Sequence, residues 1–245
     1  MPVMETSTLL DRVDRDGRWL TAIGADRLDV PVPSCPAWNV GQLLGHLGWV
    51  YRWVAATLLA DPADPPHPRT IERAPAGAEV VGWFAGALQD VLDALDHTEP
   101  DRVYSTFIGP QPARWWIRRM AHETTIHRWD AQNALGPTDP IDPALAVDGI
   151  DEALDTYVVR RFDLAAFGAE GETLHLHATD TEGEWMLTMA PVGLTWSHGH
   201  GKGDAAVRGR AEDLLLFLMG RRSADGLEEF GDTALPGRWQ AAATF

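Results

Sequence analysis

Apolar residues recur at three- and four-residue steps as far as residue 163 and at two-residue steps from residue 172, a change of period that announces helices first and strands later. Leu9, Leu10, Val13, Leu20 and Ile23 predict a first helix over 6–23. The turn-rich stretch PVPSCPAW separates it from a second helix, which opens with Asn39 as N-cap and Gln42 three residues later. On that helix Leu43, His46, Trp49, Val50 and Trp53 share one face, and DPADPPHP stops it near residue 60. Val81, Phe84, Leu88, Val91, Leu92 and Leu95 give an amphipathic third helix over 78–96. After a Pro/Gly loop around GPQP, residues 113–135 form a fourth, closed by Gly136–Pro137. Four helices joined by connections of roughly fifteen residues predict a bundle.

Leu145, Ile150, Leu154, Tyr157, Val158 and Phe162 predict a fifth helix over 143–163, and beyond it the period changes. ETLHLHA and EWMLTMA alternate apolar and polar on either side of DTEGE, so 172–178 and 184–190 read as paired strands. The glycine-rich loop SHGHGKGD leads to a strand-like AAVRG, then to a helix carrying Leu214, Leu215, Phe217 and Leu218 that ends at Gly220. The expected fold class is α+β: a four-helix bundle over 1–140 and a small α/β domain over 141–245, with helix 143–163 packing on either.

Composition and charge narrow the function classes. With 45% apolar residues and eleven Trp among 245 residues, the chain has material for packed cores. Its formal charge of −16, with no basic run, argues against nucleic acid. No window is apolar enough for a membrane span and the N-terminus lacks a signal-like segment, so the expectation is a cytoplasmic monomer. Cys35 is the lone cysteine, which excludes an internal disulfide and any cysteine-rich metal site. A bound metal must therefore use His and carboxylate ligands.

The fourth helix supplies such ligands. At 100° per residue, Trp116, Arg119, Met120, Glu123, His127 and Asp130 form one stripe, and the i, i+4 spacing lets Glu123 and His127 converge on one ion. His122-Glu123-x-x-x-His127 is one residue too long for the H-E-x-x-H protease motif, and His122 points about 100° away. The third ligand must come from another helix, and His46, centred on the apolar face of the second, is the candidate. Singly, a histidine on an apolar face is an ordinary core residue and a Glu/His pair an ordinary surface pair. Together, a divalent ion would compensate a buried Glu123 and both imidazoles.

Two blocks, CPAWNVGQLLGHLGWVYRW at 35–53 and RRMAHETTIHRWDAQNALG at 118–136, resemble the mycothiol-dependent maleylpyruvate isomerase family, a branch of the DinB-like metal-binding bundles found mainly in actinobacteria. GETLHLHATDTEGEW and AAVRGRAEDLLLFLMGRR are similar to that family's sterol-carrier-like C-terminal domain. The resemblance implies His46, Glu123 and His127 as ligands of zinc, with water as the fourth and mycothiol as the thiol cosubstrate. It implies an isomerase or S-transferase in which the thiolate adds to an activated cis double bond of a small, maleylpyruvate-like electrophile. Nickel, iron or manganese also suit a two-His, one-carboxylate set. Two other classes stay open: a non-catalytic metal- or apolar-ligand-binding protein, and a hydrolase attacking with zinc-bound water.

Other residues carry a functional and an ordinary reading side by side. Arg119, on the metal stripe, is a substrate-carboxylate fork or a solvated ion-pair partner. Arg221 is, by the resemblance, a catalytic donor fork facing the cleft, or simply complements a helix dipole. Cys35 reads as structural before Pro36. His198 and His200 are spaced like a weak metal tract but sit in a glycine loop, and His175 and His177 share one face of a strand as ordinary residues.

Overall fold

The computed structural model of the chain describes residues 4–243. Two compact units divide between Asp139 and Pro140. In the first, α1 (Thr6–Thr21), α2 (Val40–Leu59), α3 (Glu79–His97) and α4 (Ala113–Leu135) form the bundle. The helices pack as a ring, α1 against α4, α4 against α2, α2 against α3 and α3 against α1. Val13, Leu20, Leu43, Leu47, Phe84 and Val91 are fully buried between them. α2 begins as its sequence requires: the Asn39 side chain accepts from Gln42 N at 2.8 Å and Gln42 Oε1 accepts from Asn39 N at 2.9 Å.

α4 is buried on nearly every side, so its polar residues need partners. Thr125 Oγ1 donates to the buried Asp16 on α1 at 2.9 Å, and Arg128 Nε lies 3.6 Å from the same carboxylate. Arg128 also donates to Gln132 Oε1 and to the Asp139 carbonyl, fixing the chain just past the helix end. The segment before α4, read from sequence as a loop around GPQP, is a hairpin: β1 (Val103–Thr106) pairs antiparallel with β2 (Gly109–Pro112). Pro110 and Pro112 mask its strand signal because proline donates no ladder bond. The buried Tyr104 anchors it by donating to the Leu58 carbonyl at 2.9 Å.

The second unit opens with α5 (Pro143–Ala153), capped by Asp142, and runs through a π turn over Leu154–Val158 into the short α6 (Val159–Arg161) and α7 (Leu164–Phe167). β3 (Glu172–Ala178), β4 (Glu184–Ala190), β5 (Gly193–His198), β6 (Ala205–Gly209) and β7 (Glu228–Gly231) form one sheet in the order β5-β4-β3-β6-β7. The β3–β6 pair is parallel and the others are antiparallel. Leu174, Leu176, Trp185, Leu187 and Val207 are buried, and α8 (Ala211–Leu218) packs on β3, β6 and α5. α9 (Leu235–Ala242) closes the described chain. β5, β7 and α9 had no clear period of their own. Among the described residues no helix is long and apolar enough to cross a membrane.

Candidate functional site

The inner faces of α2 and α4 bring His46, Glu123 and His127 together. His46 Nε2 lies 3.3 Å and His127 Nε2 3.4 Å from Glu123 Oε1, and the three offer donor atoms within 4.8 Å of one another. A tetrahedral ligand set with bonds of about 2.1 Å places its donors about 3.4 Å apart, so this nitrogen-rich set fits a divalent ion of the zinc class. His127 is buried, whereas His46 and Glu123 keep part of their surface.

Asp130, one turn further along α4, is fully buried and holds His127 from behind: Oδ2 lies 3.0 Å from His127 Nδ1. A carboxylate only accepts, so Nδ1 is the donor to Asp130, which leaves Nε2 as the nitrogen available to an ion beside Glu123 and His46. Ser34 Oγ donates to Asp130 Oδ1 at 2.5 Å and Cys35 Sγ to Oδ2 at 3.7 Å. Asp130 was visible on the α4 stripe but had no role there. Ser34 carried no signal, being 96 positions away in the loop before α2. Cys35, read as structural, thus contacts the group that orients a candidate ligand.

Arg119 Nη2 pairs with Glu123 Oε2, one turn on. Arg119 thus supplies from the protein itself a cation that compensates Glu123. The case for an ion therefore rests on the convergence of two imidazoles rather than on the charge of Glu123. Beside this pair the buried Tyr51 on α2 meets Thr124 on α4 at 2.6 Å. Because Thr124 donates its proton to the Met120 carbonyl, Tyr51 is the donor, and burial pushes its phenol above the ordinary value.

An indole ring packs on both imidazoles. The Trp38 ring lies 4.6 Å from His46 and 5.9 Å from His127, centroid to centroid. Trp49, Trp53 and Trp116 follow in series at 6.1 and 5.4 Å. The Trp116 indole N–H, buried on the stripe of Arg119 and Glu123, finds no partner among the described residues. His122 is buried and, among the described residues, belongs to no ligand group, in keeping with its helical phase. Arg221 lies in the second unit, in the turn after α8, where its Nη1 donates to the Met219 carbonyl at 2.9 Å.

Residues 9–132 match the family model for the mycothiol maleylpyruvate isomerase N-terminal domain, and residues 144–238 match the MDMPI C-terminal domain. The chain belongs to the mycothiol maleylpyruvate isomerase family. The first matched domain contains His46, Glu123, His127 and Asp130, the second Arg221. Two proteins of Mycobacterium tuberculosis strains, uncharacterised Rv0738 and MT0763, are each 28% identical over 141 residues, 55% of this chain and 69% of theirs. The crystal structure of the mycothiol-dependent maleylpyruvate isomerase superposes with a TM-score of 0.62 at 14% identity, covering 94% of this chain and 93% of that one. A histidine-to-alanine variant of a mycothiol-dependent maleylpyruvate isomerase gives 0.63 at 13% identity. At such identity the likeness establishes a shared α+β fold, a helical domain followed by a sheet domain.

Proposed function

We propose that this family member is a metal-dependent enzyme that uses mycothiol to isomerise, or to become joined through sulfur to, a small maleylpyruvate-like electrophile. The observation that carries the reading is the convergence of two imidazole nitrogens from separate helices on one Glu123 oxygen, at 3.3 and 3.4 Å. Three protein ligands leave a position open, the arrangement of a catalytic rather than a structural site. A divalent ion held there supplies a Lewis acid that favours thiolate over thiol.

The chain's own residues prepare the site. Asp130 keeps the His127 proton on Nδ1, and Arg119 fixes the rotamer of Glu123, so any role for Arg119 at a substrate carboxylate competes with that ion pair. Trp38 shields the imidazoles, and the Trp116 N–H offers a donor to a ligand acceptor. Cis–trans isomerisation requires a nucleophile that adds to the double bond, permits rotation about the resulting single bond and leaves again; transfer ends at the adduct. Arg221 is proposed as a donor fork for an anionic substrate group. The lone cysteine and acidic composition suit a monomer in a reducing cytoplasm.

Elemental analysis of the purified chain beside a His46→Ala/Glu123→Ala variant, followed by assay with mycothiol and maleylpyruvate, tests the reading. Metal lost in the variant, with turnover strictly dependent on added thiol, is the expected result. Thiol-independent turnover of an ester or amide would move the assignment to a hydrolase, and metal in neither protein would overturn it. Arg221→Ala is expected to lower kcat/KM at unchanged metal content.

A further inference from the structure

The second unit gathers another set of nitrogen and oxygen donors. His175 and His177 stand two residues apart on one face of β3, the face opposite the buried Leu174 and Leu176, and Glu184 on β4 is the cross-strand partner of His177. Taken from sequence, these were ordinary strand residues and His200 part of a mobile loop. Instead the loop after β5 lies across that face. A Cβ at Gly201 would stand 2.9 Å from Met186 Cε, and Met186 is the cross-strand partner of His175.

His175 Nε2 stands 3.0 Å and His200 Nδ1 2.8 Å from the same Glu184 oxygen, while His177 Nδ1 lies 3.9 Å from its other oxygen. The donor atoms of His175, Glu184 and His200 all lie within 4.8 Å of one another. These separations bracket the about 3.4 Å expected between tetrahedral ligands with bonds of about 2.1 Å. Burial holds the His175 imidazole below its ordinary value. His200 is exposed and, with Lys202, Ala206 and Phe230, lines a hollow of about 280 Å³.

We infer that His175, Glu184 and His200, with His177 alongside, form a second binding site for a divalent transition-metal ion of the zinc class, separate from the site in the helical bundle. An ion there joins β3, β4 and the loop over 199–203. Its donor set, imidazoles plus one carboxylate, excludes the hard cations that require oxygen ligands.

The test uses the full chain with His46→Ala and Glu123→Gln, which deletes the bundle's ligands. Equilibrium dialysis against Zn2+ alone, and Co2+ titration read by visible absorption, are expected to give one ion per chain, a tetrahedral Co2+ spectrum and a rise in Tm. Adding His200→Ala and Glu184→Gln is expected to weaken binding at least about tenfold and abolish the rise. No ion in the first variant, or an ion indifferent to the second pair of changes, overturns the inference. His200→Ala in the otherwise native chain guards against misfolding of the multiple variants: stoichiometry falling by one supports the site and unchanged stoichiometry overturns it. Because the bundle ligands are varied separately, failure here leaves the proposed reaction standing, and the reverse.

Discussion

Asp130 acts at the scale of single atoms. Asp130→Asn keeps the size of the side chain but removes the anion that holds a proton on His127 Nδ1. Zinc affinity of the bundle site is expected to fall about ten- to a hundredfold, measured by competition with a chromophoric chelator. Unchanged affinity would mean that packing alone orients the ring. Tyr51→Phe removes the donor to Thr124 between α2 and α4 and is expected to cost about 1 kcal/mol in urea denaturation. Glu123 and His127 were legible in the sequence because a helix fixes the geometry of i, i+4 residues. His46 was legible only as a histidine on an apolar face. The link from Asp130 to Ser34 was not legible, since it joins residues from a helix and a distant loop whose approach depends on the fold.

Elements position these atoms. The capping box at Asn39 sets the start of α2, two turns before His46, and satisfies backbone groups on both sides. Asn39→Ala is expected to destabilise the chain by about 0.5–2 kcal/mol by chemical denaturation. Where α2 crosses α3, a Cβ on Gly48 would stand 2.4 Å from the Trp83 ring and 3.2 Å from Phe84. Gly48→Ala gains about 1 kcal/mol of helix propensity and loses about 1–3 kcal/mol to displacement of a rigid indole, so net destabilisation is expected. A stabilised variant would show that Trp83 moves aside cheaply. The helices with strong periods and the strands 172–178, 184–190 and 205–209 were readable because a one-sided burial demand leaves a one-sided pattern. The β1–β2 hairpin was not, because two of its residues are prolines, which donate no ladder bond.

Across the whole molecule, charge sets the response to solvent. With a formal charge of −16, raising NaCl from about 0.02 to 0.2 M is expected to raise Tm by screening self-repulsion. Part of the acid response lies in the second unit. The Glu170 backbone N–H, then the Arg238 guanidinium, hold Glu172 at about 2, and the Thr173 hydroxyl and N–H hold Asp204 below its ordinary value. Glu184 is pushed up by burial, but the His200 hydrogen bond and neighbouring imidazoles outweigh this and leave it depressed. A depressed carboxylate contributes stability above its unfolded value, and for Glu172 this is lost as pH falls from about 4.5 to about 2. Glu212, raised by burial, acts in the opposite sense. Glu172→Gln is therefore expected to flatten the acid limb of a Tm–pH profile; an unchanged slope would show that other carboxylates carry it.

The order of helices before strands, the phase that places Glu123 beside His127 and turns His122 away, and the exclusion of cysteine-rich metal chemistry were properties of the sequence itself. Each depends on period or residue type, which neighbours along the chain settle. Only the tertiary structure decided that Ser34 and Cys35 reach Asp130, and that His175, Glu184 and His200 meet over the sheet. Those pairings depend on how side chains choose rotamers and how loops lie against finished elements, and no local pattern encodes a contact between segments that the fold alone brings within hydrogen-bond range.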